Sequence, residues 1–421
     1  MADWEVPRLP RRRGRKPRVP LTDLLPALTF HALSGAGTLS EHFAQLFKAP
    51  LADSSWSDRR QRLPWVIFTD LLRRALRPRA TRRQQPEAFW RGWRLVALDG
   101  TQFSLANTPQ LAGTIPKART RRGRAAFAKI TTTVLLELGL HNPVAAGIGR
   151  QGESEWALAL RLLAHLPKRA LLLGDRLYGV AAFAVHAQAQ CARVGSHFLL
   201  RAPSYVKPRV SRRLGDGSRL IRVAVRQPGR PAQIVQWLTV RELRVRIARP
   251  RQRAHELRLW TSLLDPQTAP VLELVRLYAA RWEHELYFRE VKRQLRRTHL
   301  LQSHTLDTAA QEIAALVLAS ALIATERAHA AAGQVPVLRV SFAKVLDLVR
   351  PLWLMLDAFD DLVTDRHKTL VVQRMRALMG RCVTTRRRSR TCPRAIRQPT
   401  KPWPRLLSPS SIEGPFQFTV V

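Results

Sequence analysis

Acidic residues are scarce in this chain, which has 30 Asp and Glu against 71 Lys and Arg in 421 residues. The net charge is therefore +41 and the isoelectric point is near 11.8. At neutral pH such a surplus draws polyanions over long range and repels further copies of the chain. Neutralising phosphates releases counter-ions, so nucleic acid is the partner this composition favours. An arginine-biased codon usage could raise the total but would not cluster the charge. It is clustered, in R-L-P-R-R-R-G-R-K-P-R at residues 8–18, in K-A-R-T-R-R-G-R-A-A-F-A-K at 117–129, and again at 386–397.

Cysteine is also scarce. Cys191, Cys382 and Cys392 are odd in number and lack metal-ligand spacing, which excludes a disulfide framework and fits a reducing cytosol. The charged N-terminus has no apolar core of a signal peptide. The longest apolar run, from Ile313 to Ala324, is shorter than the roughly 20 residues a membrane span needs. It reads as a buried helix, so the expectation is a cytoplasmic, nucleoid-associated protein without a membrane partner. The chain carries no internal repeats. With 46% hydrophobic residues it can build a sizeable core, so it is not a disordered polybasic chain.

Composition shifts divide the chain. Residues 1–20 hold five prolines and glycines and almost no core residues, and read as a disordered basic arm. Within it, Arg13 and Arg15 suit a minor-groove hook, although a solvated tail fits equally. Residues 21–90 show helical periodicity and suggest a small DNA-binding domain. Residues 91–202 alternate strands and helices, with strands expected at 94–99, 129–138, 143–148, 170–175 and 196–201. Three strands, a helix, a strand, a helix and a strand form the order of an RNase H-like α/β fold, a mixed sheet flanked by helices. Residues 203–264 read as an all-β insertion. Helices resume at 265–355 as the second part of the core, and 356–421 form a C-terminal basic region.

Asp99 and Asp175 each end an apolar strand in a chain short of acids. Asp99 precedes Gly100 and Thr101, an expected small turn, and Asp175 precedes Arg176. Taken alone, each also fits a strand-terminating turn or a helix cap. The run from Tyr278 to Lys292, Y-A-A-R-W-E-H-E-L-Y-F-R-E-V-K, adds a third acid. On an ideal helix Tyr278, Arg281, Glu285 and Lys292 share an arc of about 60°. An acid set between cations suits neither a core stripe nor a random solvated face. Glu283 and Glu290 fall on the far side of that wheel, which reads as the solvated face.

Those residues resemble the DDE transposases of bacterial insertion sequences, in the group with a Y-x-x-R-x-x-x-E-x-x-x-x-x-x-K signature. Tyr278, Arg281, Glu285 and Lys292 fit that spacing without a gap, and L-D-G-T-Q-F from Leu98 is similar to the first-aspartate motif. L-G-D-R-L-Y from Leu173 resembles the second, with Leu177 where a glycine is usual. The resemblance implies that Asp99, Asp175 and Glu285 hold two Mg²⁺ or Mn²⁺ ions that flank a phosphate in an in-line displacement. It further implies that Tyr278, Arg281 and Lys292 hold phosphates of the element's end. Trp237 would stack on a flipped base, or else fill the core of the insertion. Arg121 and Arg122 would line the DNA channel with Arg176, or belong to a solvated loop. The implied activity is metal-dependent cleavage at terminal inverted repeats and joining to target DNA, by a homodimer bridging two ends. A catalytically inactive DNA-binding relative and a simple endonuclease are the competing readings.

Overall fold

The computed structural model describes residues 21–34, 37–47, 52–111, 113–120, 123–227, 229–248, 254–296, 298–384, 395–396, 405–406 and 417–420. The chain forms two compact units. One comprises Met1–Leu173, Gln190–Ser196 and Ala280–Val383, and the other Gly174–Ala189, His197–Ala279 and Thr384–Val421.

The chain begins with helices α1 (Leu21–Ser34), α2 (Leu39–Phe47), α3 (Asp53–Gln61) and α4 (Trp65–Ala75). Strands β1 (Trp93–Ser104), β2 (Lys129–Glu137) and β3 (Asn142–Ile148) follow, then α5 (Glu155–Leu162), β4 (Ala170–Gly174) and α6 (Ala181–Val194). The next stretch holds β5 (His197–Arg201), β6 (Arg209–Arg213), β7 (Arg219–Gln227), β8 (Arg230–Ala248) and β9 (His255–Thr261). Helices α7 (Val271–Tyr278), α8 (Glu283–Glu290), α9 (Leu306–Ala331), α10 (Phe342–Ala358) and α11 (Asp365–Arg381) complete the main elements. The architecture is mixed α/β, with sheet strands flanked by helices.

In the first unit the strand order is β3-β2-β1-β4. β1 and β2 are antiparallel from Val96↔Glu137 to Ser104↔Lys129, and β2 and β3 are antiparallel as well. β2 is rich in β-branched residues, which suit the pleat, and from Thr132 onward it is buried. β4 (A-L-L-L-G) is buried throughout, which explains its lack of polar alternation. β1 runs five residues beyond the expected end at Asp99. Thr101 and Phe103 continue its pairing with β2, so Gly100 lies in a strand and not in a turn.

α9 is the central helix of this unit, and α1, α4, α10 and α11 all pack on it. Thr305 caps it by accepting from the Thr308 backbone, and Ala332 closes it in the left-handed region at φ 47°. At 26 residues it is long and apolar enough to cross a membrane, but most of it is buried inside the protein. Burying each of its Leu, Ile and Val side chains is worth about 1.5–3 kcal/mol. Polar clamps fix its neighbours: Arg60 of α3 donates to Ser303 Oγ (3.3 Å) and Thr308 O (3.1 Å). Arg376 of α11 forks onto Glu326 at 2.7 and 2.8 Å, which holds that carboxyl at about 2 although burial alone would raise it.

The second unit holds an antiparallel sheet in the order β5-β9-β8-β7-β6. Ile221, Val223, Leu238 and Val240 are buried on one of its faces, and Leu243 and Leu259 on the other. Within that core the Glu242 carboxylate accepts from Arg258 (2.6 Å), Arg219 (2.8 Å) and Trp260 Nε1 (3.3 Å). A buried charge is tolerable only with such a full set of partners. Arg241, fully buried, is likewise satisfied by Asp216, Ser218 and the Ala269 carbonyl. The edge strand β6 (R-V-S-R-R) is exposed along its length, and its cations discourage pairing with another edge.

Candidate active site

Within the first unit, β1 and the segment 281–296 bring candidate residues together. Arg281 donates to Asp99 Oδ2 across 3.5 Å and to Glu285 Oε1 across 3.2 Å, so one guanidinium joins two acids 186 positions apart in sequence. The Asp99 and Arg281 side chains are 16% and 15% exposed, and that of Glu285 is 41% exposed. The second Asp99 oxygen, Oδ1, accepts from the Gly100 backbone at 2.9 Å. Three residues along the strand, the Gln102 carbonyl accepts from Lys292 Nζ at 2.8 Å. Lys292 and Arg296 both lie over the Phe103 ring, at 5.3 and 5.4 Å. Burial, then the Arg296 and Lys129 charges, lower the Lys292 pKa.

The segment is not one ideal helix. Tyr278 ends α7, residues 279–282 form a 3-10 turn, α8 follows, and Val291–Leu295 widen into a π-helical turn. The uniform 100° wheel therefore fails at both junctions. Arg281 and Glu285 still meet, because four residues span one turn across the first junction.

The back of α8 explains the orientation. His284 is buried, and its Nε2 donates to the Val134 carbonyl of β2 at 2.9 Å. Burial pushes its pKa down to about 3, so it stays neutral. Tyr287 shares a 3.0 Å hydrogen bond with Ser320 of α9. Glu283 and Glu290, expected on a solvated face, instead grip the turn between β2 and β3. Glu283 accepts from Gly139 N at 2.6 Å, while Glu290 accepts from His141 Nδ1 at 2.7 Å and from Arg327 at 3.5 Å. A helical wheel carries no information about a polar turn packed behind the helix. Burial raises the Glu283 pKa; for Glu290 it does too, but His141 and Arg327 outweigh it and leave the carboxyl lowered.

A further acid went unnoticed in the sequence. A Cβ on Gly100 would fall 2.2 Å from the Glu155 carboxyl carbon, so the Glu155 side chain lies against the strand next to Asp99. Glu155 is the first residue of α5, behind the cap residue Ser154. The only trace of this in the sequence is the glycine itself, placed mid-strand.

In the second unit, Asp175 follows β4 and turns the chain. Its Oδ1 accepts from Leu177 N at 2.7 Å, and its carbonyl accepts from Tyr178 N and Gly179 N at 3.2 Å each. Leu177 has no positive φ and is 41% exposed, so this turn does not require the glycine usual there. Gly179 is needed, since a Cβ would lie 1.8 Å from the Arg201 carbonyl oxygen. Arg176 is exposed beside Asp175. Tyr278, expected at a phosphate, is buried and donates its hydroxyl to the Gly174 carbonyl at 3.3 Å. It braces the residue before Asp175. Trp237 is half-buried and does not fill the core. Its ring carries Arg209 at 4.7 Å and Arg222 at 5.2 Å; these two arginines pair across β6 and β7, and Trp237, opposite Ala224, reaches them diagonally from β8.

Arg13, Arg15, Arg121 and Arg122 lie outside the described residues. Among the described residues, no group of three or more His, Cys, Asp or Glu side chains gathers as a metal site. The Asp99–Glu285 pair does meet the chemistry of a hard cation, since both acids converge on one positive group.

Residues 90–322 match the family profile described as Transposase DDE domain. The chain is 26% identical over 240 residues to Transposase InsG for insertion sequence element IS4 of Escherichia coli K12, covering 56% of this chain and 53% of that protein. It is 29% identical over 160 residues to Putative transposase InsZ of the same organism, covering 38% and 50%. The chain thus spans about half the length of these curated relatives. A piggyBac transposase synaptic complex with hairpin DNA aligns over 87% of this chain and 79% of its own, at 9% identity and a TM-score of 0.39.

Proposed function

The chain belongs to the Transposase DDE domain family, and on that premise we propose that it cleaves DNA at the ends of an insertion sequence and joins them to a target. The observation that carries this is the convergence of Asp99 and Glu285 on Arg281, with Lys292 on the Gln102 carbonyl farther along the Asp99 strand. Asp99, Asp175 and Glu285 would hold two divalent ions, Mg²⁺ or Mn²⁺. Such ions activate the attacking oxygen and stabilise charge on the leaving one.

The chain's own residues supply positioning. Lys292 and Arg296, backed by Phe103, present cations to a phosphate chain. Tyr278 braces the turn of Asp175 through Gly174. Arg176, Arg121 and Arg122 would add phosphate contacts, and Arg13 and Arg15 a minor-groove contact. Trp237 offers a ring, already flanked by two guanidiniums, on which a flipped base could stack. Terminal inverted repeats and target DNA are the substrates, and a homodimer would bridge two ends.

The test uses linear DNA carrying the inverted repeats that flank the gene. Asp99→Asn, Asp175→Asn and Glu285→Gln should each abolish Mg²⁺- or Mn²⁺-dependent cleavage and leave end binding within about twofold. Normal cleavage by any of the three would refute the site. Pre-cut 3′ ends offered with a circular target separate joining from simple cutting, and end binding by the wild type with no cleavage would point to an inactive relative.

A further inference from the structure

We propose that Arg281 is the resident counter-ion of the Asp99–Glu285 pair, and that its guanidinium competes with divalent cations for those two carboxylates. The inference rests on the proposed function, and it gives Arg281 a task beyond the phosphate contact that the signature implies.

Three observations carry it. The guanidinium reaches both acids, with one nitrogen on Asp99 Oδ2 and another on Glu285 Oε1. A planar fork suits this bridging in a way a point charge does not. Arg281 and Asp99 are also largely withdrawn from solvent, at 15% and 16% exposure. Two carboxylates gathered without a cation would repel each other. Finally, the chain fixes both acids by other means. Asp99 is held in a paired strand, and α8 is fixed by His284, Tyr287, Glu283 and Glu290. Loss of the Arg281 contacts therefore leaves the acids in place, while the guanidinium turns to solvent. The same movement offers it to a phosphate.

The consequence is linkage. A cation that must displace Arg281 binds more weakly than it would at the bare pair, and a polyanion that engages Arg281 strengthens metal binding by the same factor. DNA and metal are thus expected to bind cooperatively, which restrains metal loading until a substrate is present.

The test measures Mn²⁺ bound to the full chain by electron paramagnetic resonance, without DNA. Asp99→Asn and Glu285→Gln should each lose the site. Arg281→Ala should bind Mn²⁺ about tenfold more tightly than the wild type, and Arg281→Lys should fall between them. Millimolar guanidinium chloride should weaken Mn²⁺ binding to Arg281→Ala towards the wild-type value and leave the wild type unchanged. Equal or weaker Mn²⁺ affinity in both Arg281 variants, with the site still lost in Asp99→Asn, overturns the counter-ion role alone. Mn²⁺ binding that ignores Asp99 and Glu285 overturns the metal site itself. Should Arg281→Ala fail to fold, the Arg281→Lys comparison decides.

Discussion

His141, in the turn between β2 and β3, donates to Glu290 across 2.7 Å and ties the rear of α8 to the hairpin that pairs with the Asp99 strand. Arg327 of α9 completes the group from the far side, and Glu283 holds the same turn through Gly139. The helix that presents Glu285 is thus anchored on the side away from the site, by polar groups between buried surfaces. Satisfied, such a network defines one position for the helix; half-satisfied, it costs more than an apolar contact would.

Glu290→Gln tests that anchoring. The amide keeps the shape and removes the charge facing His141 and Arg327, so the expected loss is about 2–4 kcal/mol of unfolding free energy. Urea denaturation monitored by circular dichroism would show it as a lower midpoint at unchanged slope. A midpoint equal to that of the wild type would mean that this network does not hold the helix.

The buried histidines make stability depend on pH. Burial holds both His284 and His31 down to about 3, against 6.5 for a free histidine. Between those values the unfolded chain takes up protons that the folded chain refuses. Stability therefore falls as pH drops below about 6.5, on the order of 1 kcal/mol per pH unit for each group. The lowered carboxyls of Glu326 and Glu290 contribute stability that is lost only below about 4.5. Unfolding midpoints measured from pH 7.5 to 5 read the histidines, against the smaller opposing contribution of the raised Glu283 carboxyl. His284→Gln, whose amide can still donate to Val134 O, should reduce the slope, and a flat profile in the wild type would contradict the assignment.

Gly100 and Glu155 form a pair that a double-mutant cycle can expose. A methyl at Gly100 meets the far end of the Glu155 side chain, not backbone, and that end can swing away. Gly100→Ala should therefore cost no more than about 1 kcal/mol. In a Glu155→Ala background the same change should become neutral or stabilise by about 0.5–1 kcal/mol, as alanine restricts the unfolded chain. Calorimetric melting of the four proteins gives the coupling; additive effects would show that the two positions do not touch.

Much of this was legible in the sequence, for identifiable reasons. The order of three strands, a helix, a strand, a helix and a strand was legible from apolar runs such as A-L-L-L-G, which is buried along its whole length. The meeting of Arg281 with Glu285 follows from i,i+4 spacing and survives the 3-10 turn between them. Other features depended on tertiary contacts. The extension of β1 past Asp99 is fixed by its partner β2. The roles of Glu283 and Glu290 depend on a turn 144 or more positions away in the chain. The hydroxyl of Tyr278 is taken by Gly174, a partner that helical spacing cannot reveal.

Trp237 separates folding from DNA contact most cleanly. Its ring lies between Arg209 and Arg222, away from the face filled by Ile221, Val223, Leu238 and Val240. Trp237→Ala should therefore lower the unfolding free energy by only about 1–2 kcal/mol, the scale of two cation–π contacts, against about 3–5 for a core tryptophan. If the ring stacks on an unpaired base, the same variant should bind single-stranded DNA roughly 5- to 100-fold more weakly, while Trp237→Phe retains most of the affinity. Fluorescence anisotropy with a labelled oligonucleotide reads the affinity, and urea titration reads the fold. Unchanged affinity in Trp237→Ala would remove the stacking role. A loss of stability on the core scale would return the residue to the interior of the insertion.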